Sequence, residues 1–123
     1  MNNSRAMRIA ALMGLLAVVL GAFGAHALRE TFAHNPLSAG WWEKAVFYHF
    51  IHAVMLFVLA ARAPLPRLPW FSFLIGIILF SGSLYLYAAT GAKWLVAITP
   101  FGGASFMVGW ICLLICPRMI EVK

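Results

Sequence analysis

The stretch IAALMGLLAVVLGAFGAHAL, from Ile9 to Leu28, carries no charged side chain and is apolar around its whole circumference. A helix rises 1.5 Å per residue, so about 20 such residues cross the roughly 30 Å hydrocarbon core of a membrane. Further charge-free stretches follow at residues 45–61, 68–92 and 94–117. We therefore predict four transmembrane helices, at about residues 8–28, 44–61, 69–90 and 95–116.

The composition of the chain agrees with this prediction. Hydrophobic residues make up 64% of the 123 residues and charged residues 10%, whereas soluble domains have about 45–50% and about 25%. The apolar runs lack the alternation of period two that a membrane β-barrel needs. Because the connections between the runs are short, neighbouring helices should be antiparallel. The sequence predicts one all-α domain over residues 1–123, an integral membrane up-down four-helix bundle.

The formal net charge of +6 has its origin in the connections between these helices. Lys and Arg beside membrane helices are retained in the cytoplasm, so basic residues mark the inner segments. An orientation with the N-terminus inside gives the larger basic set to the cytoplasm: Arg5, Arg8, Arg62, Arg67, Arg118 and Lys123. Both termini are therefore predicted to be cytoplasmic, and the charge does not indicate a nucleic-acid partner.

The sequence Ala25-His26-Ala27 fits a signal-peptidase site. The apolar run before it is longer than the roughly 7–15 apolar residues of a signal peptide, so we expect this segment to be retained.

Small side chains recur every three or four residues along the first and fourth predicted helices. Helices in lipid associate over small residues. The stripes predict close antiparallel packing of these two helices, and they consist of Ala10, Gly14, Ala17, Gly21 and Gly24 and of Gly102, Ser105, Gly109, Cys112 and Cys116.

Polar residues concentrate where the first and third helices end and where the second and fourth begin. In an up-down bundle these positions share one side of the membrane, which the charge rule makes the outer side. Polar groups within a bilayer mark functional sites by default. We predict an outer-leaflet polar pocket formed by His26, His49, His52, Ser81, Ser83, Tyr85, Tyr87, Thr99, Pro100, Gly102 and Gly103. The alternative is that these groups only join the helices by hydrogen bonds.

Four blocks of this sequence resemble, in order, those of a known family of small membrane proteins. They are GAFGAHAL (21–28), YHFIHAVML (48–56), LFSGSLYLY (79–87) and TPFGGASFMVGW (99–110). The family is catalogued as domain of unknown function 423. Its members often carry Gln at the position of His49, whereas His26 and His52 match the pattern. The resemblance implies a four-helix topology in a bacterial inner membrane or a eukaryotic organelle, and it supplies no activity.

Several kinds of chemistry are disfavoured by the residues themselves. His26, His49 and His52 offer imidazole nitrogens, but no carboxylate lies within the predicted helices to orient them around a metal ion. Cys112 and Cys116 do not have the C-x-x-C spacing of redox proteins. We find no pairing of a nucleophile with a base. We therefore expect neither an enzyme nor a bound metal or cofactor.

The remaining class is a binding or assembly protein. Its outer-leaflet pocket would receive a lipid, another amphiphile or a helix of a partner, and the protein could be an accessory subunit of a larger membrane complex. Its partners would be membrane lipids, other membrane proteins or further copies of itself. The alternative function is transport of a small solute, an ion or protons by an oligomer, in which His26 and His52 exchange protons near neutral pH.

Overall fold

The computed structural model describes residues 1–119 and Glu121, and these residues form an all-helical bundle. Its α-helices are α1 (Asn3–His26), α2 (Arg29–His34), α3 (Pro36–Ala60), α4 (Arg67–Gly76), α5 (Gly82–Thr90) and α6 (Thr99–Ile115). A π-helical turn, Ile77–Ser81, joins α4 to α5, and 3₁₀ turns occupy Lys93–Ala97 and Pro117–Met119.

Four helical segments in this part of the chain are long and apolar enough to cross a membrane. The first span is α1, the second is α3, the third runs from Arg67 to Thr90, and the fourth from Lys93 to Ile115. The predicted all-α four-helix membrane bundle is confirmed. Each helix satisfies its own backbone hydrogen bonds, as hydrocarbon requires.

The second span begins earlier than predicted, at Pro36 rather than near residue 44. Proline suits the first helical turn because the N–H that it lacks has no partner there in any case. This earlier start moves two predicted site residues. His49 lies near the middle of the 25-residue helix and His52 lies beyond it, toward Ala60. The expectation that both imidazoles lie near the start of the second helix was therefore wrong.

The second and third spans form the inner pair of the bundle. Buried residues make up 39% and 50% of their most apolar windows, against 17% and 22% in the first and fourth spans. The first span packs on the second and the fourth on the third. The described residues of the first and fourth spans form no packed interface, which corrects the predicted pairing. Small residues indicate that a face packs closely without specifying its partner.

The seam between the third and fourth spans is closed by aromatic rings seated on glycines. Gly76 lies under the ring of Phe106, and Gly109 lies under the ring of Phe73. At Gly102, a Cβ atom would come within 2.2 Å of the backbone nitrogen of Phe80. Because the glycines alternate between the two helices, each helix places rings into hollows of the other.

The seam between the first and second spans is held at both of its ends. Trp42 covers Gly24 and donates a hydrogen bond of 2.8 Å from its indole Nε1 to the carbonyl of Leu20. At the opposite end, the Asn3 side-chain amide donates to the carbonyls of Ala60 and Arg62. These bonds fix how far the first helix can slide along the second.

The bundle has two chemically different ends. The α2 end carries α2 and the turn at Gly91, whose φ of 71° is in the left-handed region that glycine adopts without strain. The termini end carries Met1, the connection at residues 61–66 and the turn Pro117–Met119.

Candidate functional site

His52 is fully engaged in the interior of the bundle. Its Nδ1 donates to the carbonyl of Tyr48 at 2.7 Å, and its Nε2 accepts a hydrogen bond of 3.0 Å from the indole of Trp110. The ring stacks on Phe106 with 3.7 Å between ring centroids. These bonds specify one neutral tautomer, with the proton on Nδ1. His52 therefore joins the second span to the fourth.

His49 connects the second span to the third and leaves one nitrogen unused. Its Nδ1 and the hydroxyl of Tyr85 share a hydrogen bond of 2.8 Å. Its Nε2 is buried and has no hydrogen-bond partner among the described residues. The imidazole also lies near the backbone of Met13 in the first span. His49, on the second span, thus lies between the first and third spans near the middle of the bundle.

The hydroxyl groups of the third span bond to neighbouring helices. Ser81, in the π-helical turn, donates to the carbonyl of Ala45 at 2.8 Å. Ser83 and Thr99 share a hydrogen bond of 2.6 Å, which ties the third span to the start of α6. Tyr87 instead lies edge-on against the ring of Trp41 near the α2 end.

The remaining predicted site residues lie outside this hydrogen-bonded interior. His26 is exposed at the end of α1, and Pro100 is exposed in the first turn of α6. Gly102 and Gly103 pack against Phe80, at the closed seam. The single pocket predicted from the sequence is therefore replaced by separate groups. Polar side chains that are buried at different depths of the membrane form hydrogen bonds with their nearest neighbours.

The structure shows instead a groove between the first and second spans, near the α2 end. It has a volume of about 480 Å³. Gly21 and Gly24 line it on the first span, and the buried Trp42 with the half-buried Val46 forms its floor. None of the predicted site residues lines this groove. We name it the α1–α3 groove.

The rim of the α1–α3 groove faces the surrounding lipid. Phe47 and Phe50 line it and remain 61% and 46% exposed. Glu43, also exposed, is the one charged residue among its described lining residues. The sequence signal was the pairing of Gly21 and Gly24 with aromatic residues spaced three apart. Because their stripe predicts packing against the fourth span, the sequence did not indicate a groove beside the second span.

The described residues contain no group of three His, Cys, Asp or Glu side chains positioned to hold a metal ion. Cys112 and Cys116 are both free thiols, half-buried and exposed respectively. Cys112 continues the face of α6 that carries Gly109, and Cys116 follows the end of that helix.

Comparison with known families agrees with this architecture. A family model described as "Protein of unknown function (DUF423)" matches residues 20–103, which is more than half of the chain. The chain belongs to this family. The region that matches the DUF423 model includes the α1–α3 groove, the His49–Tyr85 pair and the start of α6, but not Trp110.

Curated relatives match nearly the whole length of this chain. The UPF0382 membrane protein SAB0533 of Staphylococcus aureus is 41% identical over 111 residues, which are 87% of this chain and 89% of the relative. The UPF0382 membrane protein YwdK of Bacillus subtilis is 41% identical, with 87% and 90% covered. The UPF0382 inner membrane protein YgdD of Escherichia coli is 36% identical, with 92% and 89% covered. No solved structure matches this chain significantly. This chain is a membrane protein of unknown function, as its relatives are.

Proposed function

We propose that this protein is a non-enzymatic membrane protein that holds an amphiphile in the α1–α3 groove. The groove itself is the observation that carries the proposal. Its site of action would be the bacterial inner membrane, with both termini in the cytoplasm. The proposal keeps the binding role expected from the sequence and moves the binding site from the polar pocket to the apolar groove.

The lining of the groove suits an apolar chain. Gly21 and Gly24 leave a hollow along the first span, and Trp42 closes it from below. A groove that opens to the bilayer can take up and release a lipid without moving that lipid through an aqueous phase. The exposed rings of Phe47 and Phe50 would cover such a chain from the sides. Pockets of about 300–1,000 Å³ hold small ligands, and the groove falls in this range.

Glu43 favours an occupant whose head group carries an amine. It lines the groove on the side of the α2 end, where a helix beginning at Pro36 reaches the head-group region. An ammonium group there would form a charge-assisted hydrogen bond with the carboxylate, the stronger class of hydrogen bond. We therefore commit to an amine-headed phospholipid.

The engagement of His52 supports binding rather than proton exchange. Both of its ring nitrogens already have partners, so Nε2 could take a proton only by giving up the hydrogen bond from Trp110. His26, the other histidine of the transport alternative, is exposed at the far end of the first span. The two imidazoles lie on different spans and share no hydrogen bond.

Native mass spectrometry tests the proposal on protein extracted gently from its own membrane. We expect a retained mass of an amine-headed phospholipid on the wild-type chain, distinct from that of any other bound lipid. Ala25→Phe should abolish it, because Ala25 lines the groove and is exposed enough to accept a ring without disturbing the core. Ala89→Phe is the matched control, since Ala89 is also exposed but lies at the end of α5, outside the groove.

The head-group assignment has its own variant. Glu43→Gln should keep a bound lipid mass but lose the preference for amine-headed over glycerol-headed phospholipids when both are supplied.

Retention of the same mass by Ala25→Phe would refute the groove as the binding site. Copurification of a stoichiometric protein partner without any lipid would instead make the chain an accessory subunit.

A further inference from the structure

The termini end of the bundle is far more basic than the α2 end. It carries the five arginines Arg5, Arg8, Arg62, Arg67 and Arg118, and Glu121 is its one acidic residue. The α2 end carries three basic and two acidic side chains, which are Arg29, Lys44, Lys93, Glu30 and Glu43. Every basic residue that the structure describes at the termini end is an arginine, whose planar fork binds phosphate through two parallel hydrogen bonds.

Two clefts open side by side at the termini end. The larger, of about 640 Å³, is lined by Arg62 and Arg118 together with Pro64, Pro66 and Glu121. The smaller, of about 540 Å³, is lined by Arg8 with Asn3, Ser4 and Ala60. Both clefts share Ala63, in the connection between the second and third spans. Arginine side chains therefore line two adjoining clefts that are separated by one backbone segment.

Arg62 is held in place at the boundary between the clefts. Its carbonyl accepts a hydrogen bond from Asn3, and its guanidinium donates to the backbone carbonyl of Glu121. The Nε–H of the same guanidinium is buried and has no hydrogen-bond partner among the described residues. A buried unpaired donor is costly, and an acceptor reaching into the cleft would remove that cost.

The walls of the clefts indicate that the acceptor belongs to a lipid. Leu65 and Met119 line the larger cleft, and Met7 with Ala61 lines the smaller one. These apolar groups lie at the ends of the spans, where phospholipid head groups meet their acyl chains. Basic pockets between transmembrane helices bind anionic lipid head groups in this way.

We propose that the termini end binds one anionic phospholipid that carries two phosphates. One phosphate lies in the cleft with Arg62 and Arg118, the other lies in the cleft with Arg8, and the linker between them passes over Ala63. The retention of Lys and Arg on the cytoplasmic side of a membrane requires only that the arginines lie somewhere on this end. The distribution of arginines over two adjoining clefts is what specifies two phosphates. This site is separate from the α1–α3 groove and does not depend on its occupant.

The test compares lipids added to the delipidated full chain in detergent, with binding measured by native mass spectrometry and by the shift in melting temperature. A diphosphate phospholipid should bind at least about tenfold more tightly than a single-phosphate glycerol-headed lipid supplied at the same phosphate concentration. Arg118→Gln and Arg8→Gln should each remove this preference. Arg5→Gln should keep it, because Arg5 is exposed at the same end and lines neither cleft.

Three outcomes would overturn the proposal. Equal binding of the two lipids would show only general attraction of anionic lipids to a basic surface. An unchanged preference in both Arg118→Gln and Arg8→Gln would remove the clefts from the site. Full competition by the soluble deacylated head group would make the ligand a soluble phosphate compound. Arg62→Gln is not the deciding variant, since its loss could also release the chain near Glu121.

Discussion

The first and fourth spans both carry glycines where they pack on the inner pair, but only one of the two seams is closed. Along the third–fourth seam, Gly76, Gly102 and Gly109 each lie against a phenylalanine of the opposite helix. Along the first–second seam, Gly24 lies under Trp42, but a Cβ added at Gly21 would only touch the side chain of Val46, at 3.4 Å. The third–fourth seam is sealed, whereas the first–second seam contains the α1–α3 groove.

The difference is explained by where the aromatic rings point. In the sealed seam, both helices contribute glycines and both contribute rings, so every hollow is filled. In the open seam, the glycines belong to the first span, and the nearby Phe47 and Phe50 of the second span face the lipid. A small-residue stripe therefore becomes either a packing surface or a binding groove, depending on the register of rings on the neighbouring helix.

The largest effect is expected at Gly102, in the sealed seam. In Gly102→Ala the new Cβ would lie 2.2 Å from the backbone nitrogen of Phe80, which cannot move without displacing the π-helical turn. We expect the free energy of unfolding to fall by at least about 3 kcal/mol, the upper range for overpacking. Helix content followed during unfolding in mixed micelles of detergent and dodecyl sulfate measures this loss.

Gly103→Ala is the matched control for Gly102. A Cβ at Gly103 would approach the ring of Phe80 no closer than 3.8 Å, an ordinary contact. We expect it to be neutral or slightly stabilising, because alanine has the higher helix propensity. Equal losses in the two variants would mean that the seam is not closed by a close approach at Gly102.

A smaller effect is expected at Gly24, in the open seam. The Cβ of Gly24→Ala would come 2.1 Å from Nε1 of Trp42, but this indole can turn into the adjoining groove. The cost is then mainly the hydrogen bond from Trp42 to Leu20, and we expect about 1–2 kcal/mol. The same unfolding assay measures it, and Gly21→Ala serves as the milder control. A loss as large as that of Gly102→Ala would show that both seams are equally rigid.

Much of this fold could be predicted from the sequence, because hydrocarbon leaves few choices. Four charge-free runs gave four spans, and the small residues marked faces that do pack closely. The start of the second span differs from the prediction because Glu43 and Lys44 interrupt the charge-free run on which the prediction rests. Charges mark where the membrane ends, whereas the backbone of α3 continues its own hydrogen bonds back to Pro36.

The candidate site was much less predictable. The correct depth of His49 and His52 depended on that helix start, and an error of two turns placed both on the wrong level. The α1–α3 groove depends on volume that the side chains leave unfilled, which no single residue encodes. Gly21 and Gly24 indicated a close approach, but only the positions of the Val46 and Trp42 side chains show where the space remains.

The smallest effect concerns how the inner pair is joined to the sealed side. Trp110→Phe removes the indole N–H that donates a hydrogen bond to Nε2 of His52, and this buried nitrogen is then left without a donor. We expect a loss of about 1 kcal/mol, typical of hydrogen bonds between membrane helices. Trp94→Phe should cost almost nothing, because Trp94 is 68% exposed.

A double-mutant cycle separates this hydrogen bond from the packing of the indole. In a His52→Phe background the acceptor is absent while a ring can still stack on Phe106, so Trp110→Phe should then cost little. An equal loss in both backgrounds would assign the effect to ring size instead. The hydrogen bond from Trp110 to His52 would then not stabilise the packing of the fourth span. The difference between the sealed and the open seam would lie in the glycine contacts alone.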